Sequence, residues 1–509
     1  MLDERRIRNK ALFSKIVSPD SAASLIQDHD NVGFSGFTPS GYPKKTSLAL
    51  AEQIKTGRKC RINIWTGASV GPEVEEALAS VDGVESRVPY YAASNKSMKE
   101  GINSGRIRYM DLHLSEFAQQ VSEGFFGDVD VAVVEALGIT EKGDLILGTG
   151  VGNTPTFVRK AKKIIVEVNT WIPLELEGIH DIYEVPVPPA RREISIYRPG
   201  DRIGTTVVPC GTDRITAIVE SDIPDHVREL GHPDETTKKI AGNLINFLEL
   251  EQKKGRMPSP LLPLQSGVGK IANAVLEGLN DSAFRHISLY SEILQDAVFD
   301  LIKNGKVDMA SGCAFTPSQG VMAMYRENPQ LFNEHLVLRP LEISNNPGVI
   351  RRLGVISLNV PVEFDIYGQA NSTHVMGRNM VNGIGGSGDY MRNGYLTVFT
   401  ATSTTRKGNI SRVVPMCSHV DHTEHDTMIF ITENGVADLR NKDPRQRALE
   451  IINNCAHPDY RELLRYYFEK AEIHGGHMPV DLQHAFFMDL HLEKTGTMKE
   501  TISAKRAGI

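Results

Sequence analysis

The chain has 509 residues, of which 40% are hydrophobic and 23% are charged. This length predicts two or more domains, and the formal charge of −7 argues against a nucleic-acid binder and against a protein of anionic membranes. Five scattered cysteines without a C-x-x-C pair support neither a disulfide framework nor a thiolate zinc site, and they favour a reducing compartment. The amino-terminal stretch lacks an apolar signal segment, and no apolar run approaches the roughly 18 residues of a membrane span, so we expect a cytoplasmic protein without a membrane partner.

Short apolar runs alternate with helical patterns along the chain. The runs predict strands at 61–67, 129–137, 163–169, 215–221, 286–291, 336–344 and 427–432, and residues 241–255 predict an amphipathic helix. This alternation is typical of an α/β fold with mainly parallel or mixed sheets. The stretch 356–368 alternates between apolar and polar residues and predicts one strand with two different faces, with Pro361 at an edge or a bulge.

A polar, proline-containing stretch at 221–239 predicts a domain boundary. It divides the chain into an amino-terminal domain, 1–225, and a carboxy-terminal domain, 226–509, each near the usual domain size. The string LGTGVGNTPTFV (147–158) is weakly similar to LQSGVGKIANAV (264–275), which indicates that the two halves are related.

The second of these strings contains Gly-Lys and superficially resembles a phosphate-binding loop. A P-loop requires glycine where this chain has Leu264, and Ser or Thr where it has Ile271, so that interpretation fails. A turn at 267–269 before a predicted helix over 271–279 leaves backbone N–H groups suited to an anion or a developing oxyanion. A plain strand–helix turn remains the alternative.

A second glycine string, NGIGGSGDY, spans residues 382–390. Gly383, Gly385 and Gly388 match G-x-G-x-x-G, but a poor strand precedes them and no acidic residue follows at the spacing of a dinucleotide fold. The glycines instead predict that the backbone approaches another group closely.

Histidines recur every three residues in HVDHTEH, at His419, His422 and His425. A helix would bring them near one face, as in a metal site, but both flanks resemble strands. The pattern therefore favours structural, hydrogen-bonded histidines over metal ligands.

The stretch LYSEILQD predicts a strand ending at Tyr290–Ser291 and a helix that Glu292 opens and that closes at 303–305. Glu292 is then either a first-turn carboxylate favoured by the helix dipole, or a base or covalent nucleophile at the carboxyl end of a strand. Its spacing to other residues does not decide between these roles.

Ten ordered motifs together resemble the acetyl-CoA hydrolase/transferase family over essentially the whole chain. They are SGFTPSGYPK (35–44), TGAS (66–69), LPLQSGVG (262–269), YSE (290–292), ISNNPGVIRRLG (343–354), DIYGQANSTHVMG (365–377), NGIGGSGD (382–389), VVPMCSHVDH (413–422), ITENGVADLR (431–440) and CAHPDYR (455–461). The resemblance implies two α/β domains of related topology with the active site at their interface.

The resemblance also implies roles for individual residues. Glu292 would be the catalytic nucleophile, which forms a mixed anhydride and then a glutamyl-CoA thioester. The other implied site residues are Val268 and Gly386 for the oxyanion hole; Gly267, Val268, Gly269, Lys270, Ile271, Val362, Asn382, Gly386 and Arg406 for CoA contacts; and Asn345, Glu433 and Ser69 for the carboxylate and acyl pocket. The family often has Asn in place of Lys270 and Lys in place of Arg406, so Lys270 adds a positive charge beside the loop and Arg406 preserves one.

The implied enzyme is a CoA-transferase of small carboxylates such as acetate, propionate and succinate. Succinyl-CoA and acetate are the preferred pair, and a propionyl-CoA:succinate CoA-transferase and an acetyl-CoA hydrolase are alternatives. A non-catalytic CoA-binding protein is a further alternative, against which an intact Glu292 and both glycine loops weigh. The implied chemistry needs no metal and no permanently bound cofactor, since CoA is substrate and covalent intermediate. A homodimer is the family expectation.

Overall fold

The computed structural model describes residues 2–227 and 233–499. Three short 3₁₀ helices cover Lys10–Lys15, Leu174–Leu176 and Thr212–Arg214. The α-helices are α1 Pro19–Ala23, α2 Lys45–Lys55, α3 Glu75–Ser80, α4 Lys96–Asn103, α5 Leu114–Glu123, α6 Thr154–Lys160, α7 Glu235–Lys253, α8 Lys270–Asp281, α9 Asp296–Lys303, α10 Gln319–Glu327, α11 Pro329–Asn333, α12 Leu341–Ser344, α13 Pro347–Leu353, α14 Ser387–Asn393, α15 Pro444–Asn454, α16 Pro458–Ile473 and α17 Phe487–Thr495. Within the described ranges, no helix combines the length and the apolar character needed to cross a bilayer.

The strands are distributed along the whole described chain. They are β1 Asn31–Phe34, β2 Ile62–Trp65, β3 Val84–Val88, β4 Arg108–Tyr109, β5 Val131–Ala136, β6 Gly138–Ile139, β7 Leu145–Ile146, β8 Lys163–Asn169, β9 Ile215–Ser221, β10 Leu264–Ser266, β11 Ile287–Tyr290, β12 Ile293–Leu294, β13 Val307–Gly312, β14 Ala314–Phe315, β15 Leu336–Leu338, β16 Ile356–Asn359, β17 Glu363–Asp365, β18 Ala370–Asn371, β19 His374–Val375, β20 Asn379–Met380, β21 Leu396–Thr400, β22 Thr404–Thr405, β23 Ile410–Ser411, β24 Val413–Val414, β25 Ile429–Thr432 and β26 Gly435–Asp438. The predicted α/β class with parallel and mixed sheets is confirmed.

The chain divides into two compact units. The first comprises Met1–Glu229, His286–Leu353 and Asn382–Asp389, and the second comprises Leu230–Arg285, Gly354–Val381 and Tyr390–Ile509. The first break lies near the predicted boundary, and the chain then re-enters the first unit twice. The division into domains 1–225 and 226–509 stays a prediction.

The first unit contains a seven-stranded parallel sheet in the order β4-β3-β2-β1-β5-β8-β9. Every residue of the interior strand β5, with the sequence VAVVEA, is buried, including Glu135. Such continuous apolar runs are typical of parallel strands that are covered on both faces. The later part of this unit adds the parallel strands β15-β13-β11 and the parallel pair β12-β14.

The second unit contains the strand order β10-β16-β21-β25-β26, parallel except for the last, antiparallel pair. Its core combines aromatic residues of the strands, such as Phe364 and Phe430, with residues of α15, α16 and α17. Phe364 and Phe430 stack with their ring centroids 4.0 Å apart.

Two of the predicted strands each divide into two elements in the structure. The stretch 336–344 forms β15 and then α12, and 356–368 forms β16 and β17 with a break at Val360–Val362. The prediction of one two-faced strand over 356–368 is wrong, because β16 pairs on both edges with β10 and β21 and is buried throughout. Pro361 lies in the break, where its missing N–H interrupts no ladder.

A buried cluster of charges fixes the start of the predicted boundary stretch to the first unit. The Lys44 ammonium donates to Glu135 at 2.6 Å and to Asp225 at 2.9 Å, and all three side chains are buried. Burial lowers the pKa of Lys44, but the two carboxylates outweigh it and raise the value above its usual range. Asp225 also accepts from Thr149 and from the Gly41 N–H. The buried Asp225 side chain therefore ties the start of this stretch to the first unit.

The Asp225→Asn variant is expected to lower the free energy of unfolding by about 1–3 kcal/mol, because it weakens a buried, charge-assisted hydrogen-bond network. Denaturant unfolding at neutral pH measures this loss. Asp222→Asn is the matched control, since Asp222 is exposed and its ion pair with Lys45 is a surface pair expected to be worth less than about 1 kcal/mol. Equal stabilities of the two variants would contradict a stabilising role for the buried cluster.

Candidate active site

Glu292 lies between two strands at the carboxyl end of β11. Its carbonyl accepts from the N–H groups of Cys313 and Ala314, and the following residues pair as β12 with β14. The prediction that Glu292 opens a helix is wrong, because these β-type bonds extend the strand region and α9 begins only at Asp296. The backbone of Glu292 is thus fixed on both sides, and its half-buried side chain lies where α/β proteins place their sites.

Asn345 contacts the Glu292 carboxyl group. This fully buried residue follows α12, and its Nδ2 donates to Oε1 of Glu292 at 2.6 Å. The same Nδ2 donates to Oδ2 of Asp389 at 3.0 Å, while its Oδ1 accepts from Ser344 at 3.0 Å. These partners assign the amide orientation, with the NH₂ group between two carboxylates.

Asp389 is a site residue that the sequence analysis missed. Its side chain is buried, and it accepts from the N–H of Ser115 at 3.1 Å and from the Ser115 hydroxyl at 2.6 Å. Ser115 belongs to the first turn of α5, where a carboxylate satisfies an otherwise unpaired helix N–H. The only sequence signal was the acidic residue inside the string NGIGGSGD.

The second glycine loop packs directly against Glu292. A Cβ at Gly386 would lie 1.8 Å from Oε1 of Glu292 and 2.0 Å from its Cδ. Similarly, a Cβ at Gly388 would lie 2.1 Å from Nδ1 of His113, and one at Gly383 would lie 2.5 Å from the Tyr109 hydroxyl. The predicted close approach of the backbone is confirmed, and the group that it approaches is the candidate nucleophile.

The surroundings favour the neutral form of Glu292. Burial raises its pKa to about 8, the Asn345 hydrogen bond opposes this rise, and the negative charge of Asp389 adds to it. Burial likewise raises the pKa of Asp389 to about 6, against the hydrogen bonds from Ser115 and Asn345. A carboxyl group with a pKa this high is a stronger base and nucleophile once ionised than an ordinary glutamate.

The first glycine loop lies in the second unit and has the predicted local structure. β10 ends at Ser266, and α8 starts at Lys270 after Gly269, whose φ of 123° favours glycine. The predicted helix over 271–279 is confirmed, and Lys270 is exposed as its first residue. The N–H of Gly267 donates to the carbonyl of Leu358 at 3.1 Å, and the Val268 side chain is 52% exposed. The CoA and oxyanion roles of residues 267–271 stay predictions.

The remaining predicted site residues occupy loops or strand ends. Glu433 follows β25 and accepts from the Ser403 N–H at 2.8 Å, and Arg406 is exposed in the turn between β22 and β23. Val362 precedes β17 and donates from its N–H to the Asn371 carbonyl. In the first unit, Asn382 donates to the Gly383 carbonyl at 3.0 Å, and Ser69 donates to the Thr38 hydroxyl at 3.3 Å. Their roles toward CoA and the acyl group stay predictions.

The three histidines of HVDHTEH have different surroundings. His422 is buried against the Phe399 ring, His419 lies 3.2 Å from Asp421, and the His425 side chain is 79% exposed. Among residues 2–227 and 233–499, no group of three or more His, Cys, Asp or Glu residues is arranged to hold a metal ion.

Both halves of the chain match models of one protein family. Residues 1–220 match the acetyl-CoA hydrolase/transferase N-terminal domain, and residues 320–468 match the acetyl-CoA hydrolase/transferase C-terminal domain. The chain belongs to the acetyl-CoA hydrolase/transferase family.

Relatives in this family span almost the full length of the chain. A succinyl-CoA:acetate CoA-transferase of Clostridium kluyveri is 49% identical over 97% of this chain and 92% of its own length. A propanoyl-CoA:succinate CoA transferase of Escherichia coli is 46% identical over 95% and 98%, and an acetyl-CoA hydrolase of Schizosaccharomyces pombe is 43% identical over 97% and 98%. This family member is therefore an enzyme.

Solved structures show the same fold at low sequence identity. RipA from Yersinia pestis superposes with a TM-score of 0.70 at 21% identity, covering 90% of this chain and 98% of that chain. A 4-hydroxybutyrate CoA-transferase from Porphyromonas gingivalis gives 0.62 at 21% identity, covering 91% and 99%. The α/β fold of this family member is thus shared with RipA and with the 4-hydroxybutyrate CoA-transferase, whereas the predicted position of the active site between its domains stays a prediction.

Proposed function

We propose that this enzyme transfers CoA from an acyl-CoA to a small carboxylate through a covalent glutamyl-CoA thioester on Glu292. The observation that carries the proposal is the setting of this carboxyl group. It lies at the end of a parallel strand, accepts a 2.6 Å hydrogen bond from Asn345, and abuts the backbone of Gly386 at a distance that leaves no room for a Cβ. A nucleophile needs such a fixed, partly desolvated position with backbone groups close to the reacting carbon.

The proposed reaction conserves the thioester bond energy in four steps. An oxygen of Glu292 attacks the acyl-CoA carbonyl and expels CoA thiolate, which leaves a mixed anhydride. The thiolate then attacks the glutamyl carbonyl, which releases the first carboxylate and leaves the glutamyl-CoA thioester. An incoming carboxylate reverses both steps, so that a new acyl-CoA departs and Glu292 is again a carboxylate.

The tetrahedral intermediates of these steps each carry an oxyanion. We assign their stabilisation to the N–H groups of Gly386 and Val268, each of which could contribute about 2.7–4 kcal/mol to transition-state binding. Lys270 and Arg406 supply positive charge for the phosphates or the pantetheine chain of CoA. Asn345 orients the Glu292 carboxyl group, and Glu433 and Ser69 complete the proposed carboxylate pocket.

Succinyl-CoA and acetate form the proposed preferred substrate pair. The 49% identity to a succinyl-CoA:acetate CoA-transferase supports this pair, and the 46% identity to a propanoyl-CoA:succinate CoA transferase makes propionate the strongest competitor. One methylene group changes the binding free energy by only about 1–3 kcal/mol. Acetate and propionate are therefore both expected to be substrates, with different rates. We further propose a cytoplasmic homodimer.

Trapping the intermediate tests the proposal. The protein is incubated with succinyl-CoA and then treated with borohydride, which reduces a thioester to an alcohol, and the peptide containing Glu292 is analysed by mass spectrometry. Reduction at Glu292 in the wild type but not in Glu292→Gln is the expected result. CoA release without an adduct, at a rate unaffected by acetate, propionate or succinate, would instead identify an acetyl-CoA hydrolase and would overturn the transferase proposal.

The pH dependence of the first half-reaction follows from the raised pKa of Glu292. Only the ionised carboxylate attacks the thioester, so kcat/KM for succinyl-CoA is expected to rise with pH and to level off above pH 8. Stopped-flow or initial-rate measurements between pH 5.5 and about 9.5 test this, with buffers of constant ionic strength. A plateau already reached near pH 5.5 would show that Glu292 ionises like an ordinary exposed glutamate.

A further inference from the structure

Asp389 is a buried carboxylate beside Glu292, and the proposed reaction assigns it no role. It shares the Nδ2 of Asn345 with Glu292, at 3.0 Å from Asp389 and 2.6 Å from Glu292. One amide group therefore connects a reacting carboxylate to a buried carboxylate. When two carboxylates lie this close, the negative charge of one disfavours ionisation of the other and raises its pKa.

The two carboxylates are held very differently. Asp389 accepts from the Ser115 N–H, the Ser115 hydroxyl and Asn345, whereas the Glu292 carboxyl group accepts from Asn345. The Ser115 N–H belongs to the first turn of α5, which favours a negative charge at this position. Asp389 is thus built to stay in place as an anion while Glu292 reacts.

We propose that Asp389 is a positioning residue that holds the Asn345 amide against Glu292 and keeps a fixed negative charge behind the reacting carboxylate. Because Ser344 occupies Oδ1 of Asn345, the NH₂ group faces both carboxylates, and Asp389 takes the second N–H. Without Asp389, the amide would lose one of the partners that define its rotation.

The fixed charge also has an energetic consequence, which rests on the proposed function. In forming the thioester, the C–S bond to the acyl group breaks, the C–S bond to the glutamyl carbon forms, and one glutamyl oxygen departs with the acyl group. The negative charge of Glu292 leaves with the released carboxylate. Asp389 disfavours the ionised Glu292 but not the neutral thioester, so it shifts the internal equilibrium toward the covalent intermediate.

Other titratable groups face this pair from each surrounding element. They are His113 before α5, Tyr109 at the end of β4, Asp111 after β4, Tyr90 from the loop after β3, and Cys313 opposite the Glu292 backbone. His113 counteracts the charge of Asp389, and the charges of Asp111 and Glu292 both act on Tyr90. The hydrogen bonds that the proposal uses run from Ser115 through Asp389 and Asn345 to Glu292.

The test titrates Glu292 without any CoA chemistry. Carbodiimide and an amine label protonated carboxyl groups, so labelling of the Glu292 peptide, followed by mass spectrometry, falls as Glu292 ionises. In Asp389→Asn the midpoint of this titration is expected to move down by about one pH unit, because a like charge is removed. Asp389→Ser removes the same charge with a smaller side chain and provides an independent measurement if the first variant fails to fold.

Two controls separate charge from packing. Ser115→Ala removes one donor but keeps the carboxylate, and Asp308→Asn removes an exposed carboxylate of the same unit that pairs with His286. Both midpoints are expected to stay within a few tenths of a pH unit of the wild type. Ser115→Ala retains the charge of Asp389, and solvent screens the charge of the exposed Asp308. An unmoved midpoint in the Asp389 variants, or an equal shift in Ser115→Ala, would overturn the proposal.

A second readout uses the intermediate itself. At a pH where Glu292 is ionised in all variants, the ratio of trapped thioester to free Glu292 is expected to fall about tenfold in Asp389→Asn, which matches a one-unit change in the titration. A wild type that forms no thioester would refute the proposed function while the carbodiimide titration still tests Asp389. A wild type that forms the thioester, with an unchanged ratio in Asp389→Asn, would refute the role of Asp389 alone.

Discussion

Replacing Glu292 with glutamine is expected to lower the kcat for CoA transfer by a factor on the order of 10⁴ or more, since deletion of a covalent nucleophile removes the proposed reaction path. Glutamine keeps the volume of the side chain and an oxygen that can accept from Asn345, so the surrounding contacts are preserved. Steady-state assays of acetyl-CoA formation from succinyl-CoA and acetate measure the loss. Equal thermal stability of the variant and the wild type would assign it to chemistry.

Glu292→Asp is the companion variant, because it keeps the carboxylate but withdraws it by one methylene group. Misplacement of a reacting group by about 1 Å can cost roughly 10² in rate, so this variant is expected to lie between the wild type and the glutamine variant. Activity of Glu292→Gln above 1% of the wild type would contradict the assignment of Glu292 as the nucleophile.

The Gly386→Ala variant is expected to lower kcat by about 10²–10³, the usual loss when an oxyanion donor or the alignment of the nucleophile is disturbed. The new Cβ would meet Oε1 of Glu292 at 1.8 Å, so the carboxyl group must move away from Asn345. The φ of Gly386 is not in the left-handed region, so the added methyl group acts through this contact rather than through backbone strain. Parallel measurements of kcat and of thermal unfolding test the prediction.

Gly242→Ala is the matched control for this substitution. Gly242 lies inside α7, and a Cβ there meets no atom within 4 Å. The control is expected to retain full activity and to gain about 0.5–1 kcal/mol of stability, because alanine is the better helix former. Full activity of Gly386→Ala would show that Glu292 can react from a displaced position, and it would argue against the proposed oxyanion role of Gly386.

The strands with continuous apolar runs could be predicted from the sequence. β8 and β9 match the predicted ranges 163–169 and 215–221 residue for residue, because buried parallel strands are rich in β-branched residues and end at polar ones. The stretch 356–368 was misassigned because its alternation of apolar and polar residues imitates a half-exposed strand. Its polar residues are in fact buried: Ser357 donates to the Tyr390 carbonyl and Glu363 accepts from Asn371, bonds that a sequence pattern does not reveal.

Rules that consider only neighbouring residues do not find a helix cap that a distant residue provides. The first N–H groups of the α2 region donate to the carboxylate of Glu167, which lies more than a hundred residues further along the chain. The rules for helix starts look for such a cap within the segment itself, so they could not identify it.

The candidate site likewise combines residues that the sequence predicts with contacts that it does not reveal. Glu292, Asn345 and Gly386 lie inside recognisable motifs and were predicted, whereas the contact of Ser115 with Asp389 joins residues 274 positions apart. Ser115 lies outside any of the quoted motifs, and only the folded chain brings it to Asp389. The sequence thus predicts which residues react, and tertiary contacts define what holds them.

Strand-type hydrogen bonds hold the backbone at Glu292, whereas Asn345 is the one side chain among residues 2–227 and 233–499 that donates to its carboxyl group. In the proposed cycle the same side chain must first present an oxygen to the acyl carbon and then present its own carbon to the thiolate. Because the strand hydrogen bonds hold the main chain, we expect rotation about the side-chain bonds of Glu292 to provide this exchange. The proposed cycle therefore confines its conformational change to one side chain on a backbone that the sheet holds in place.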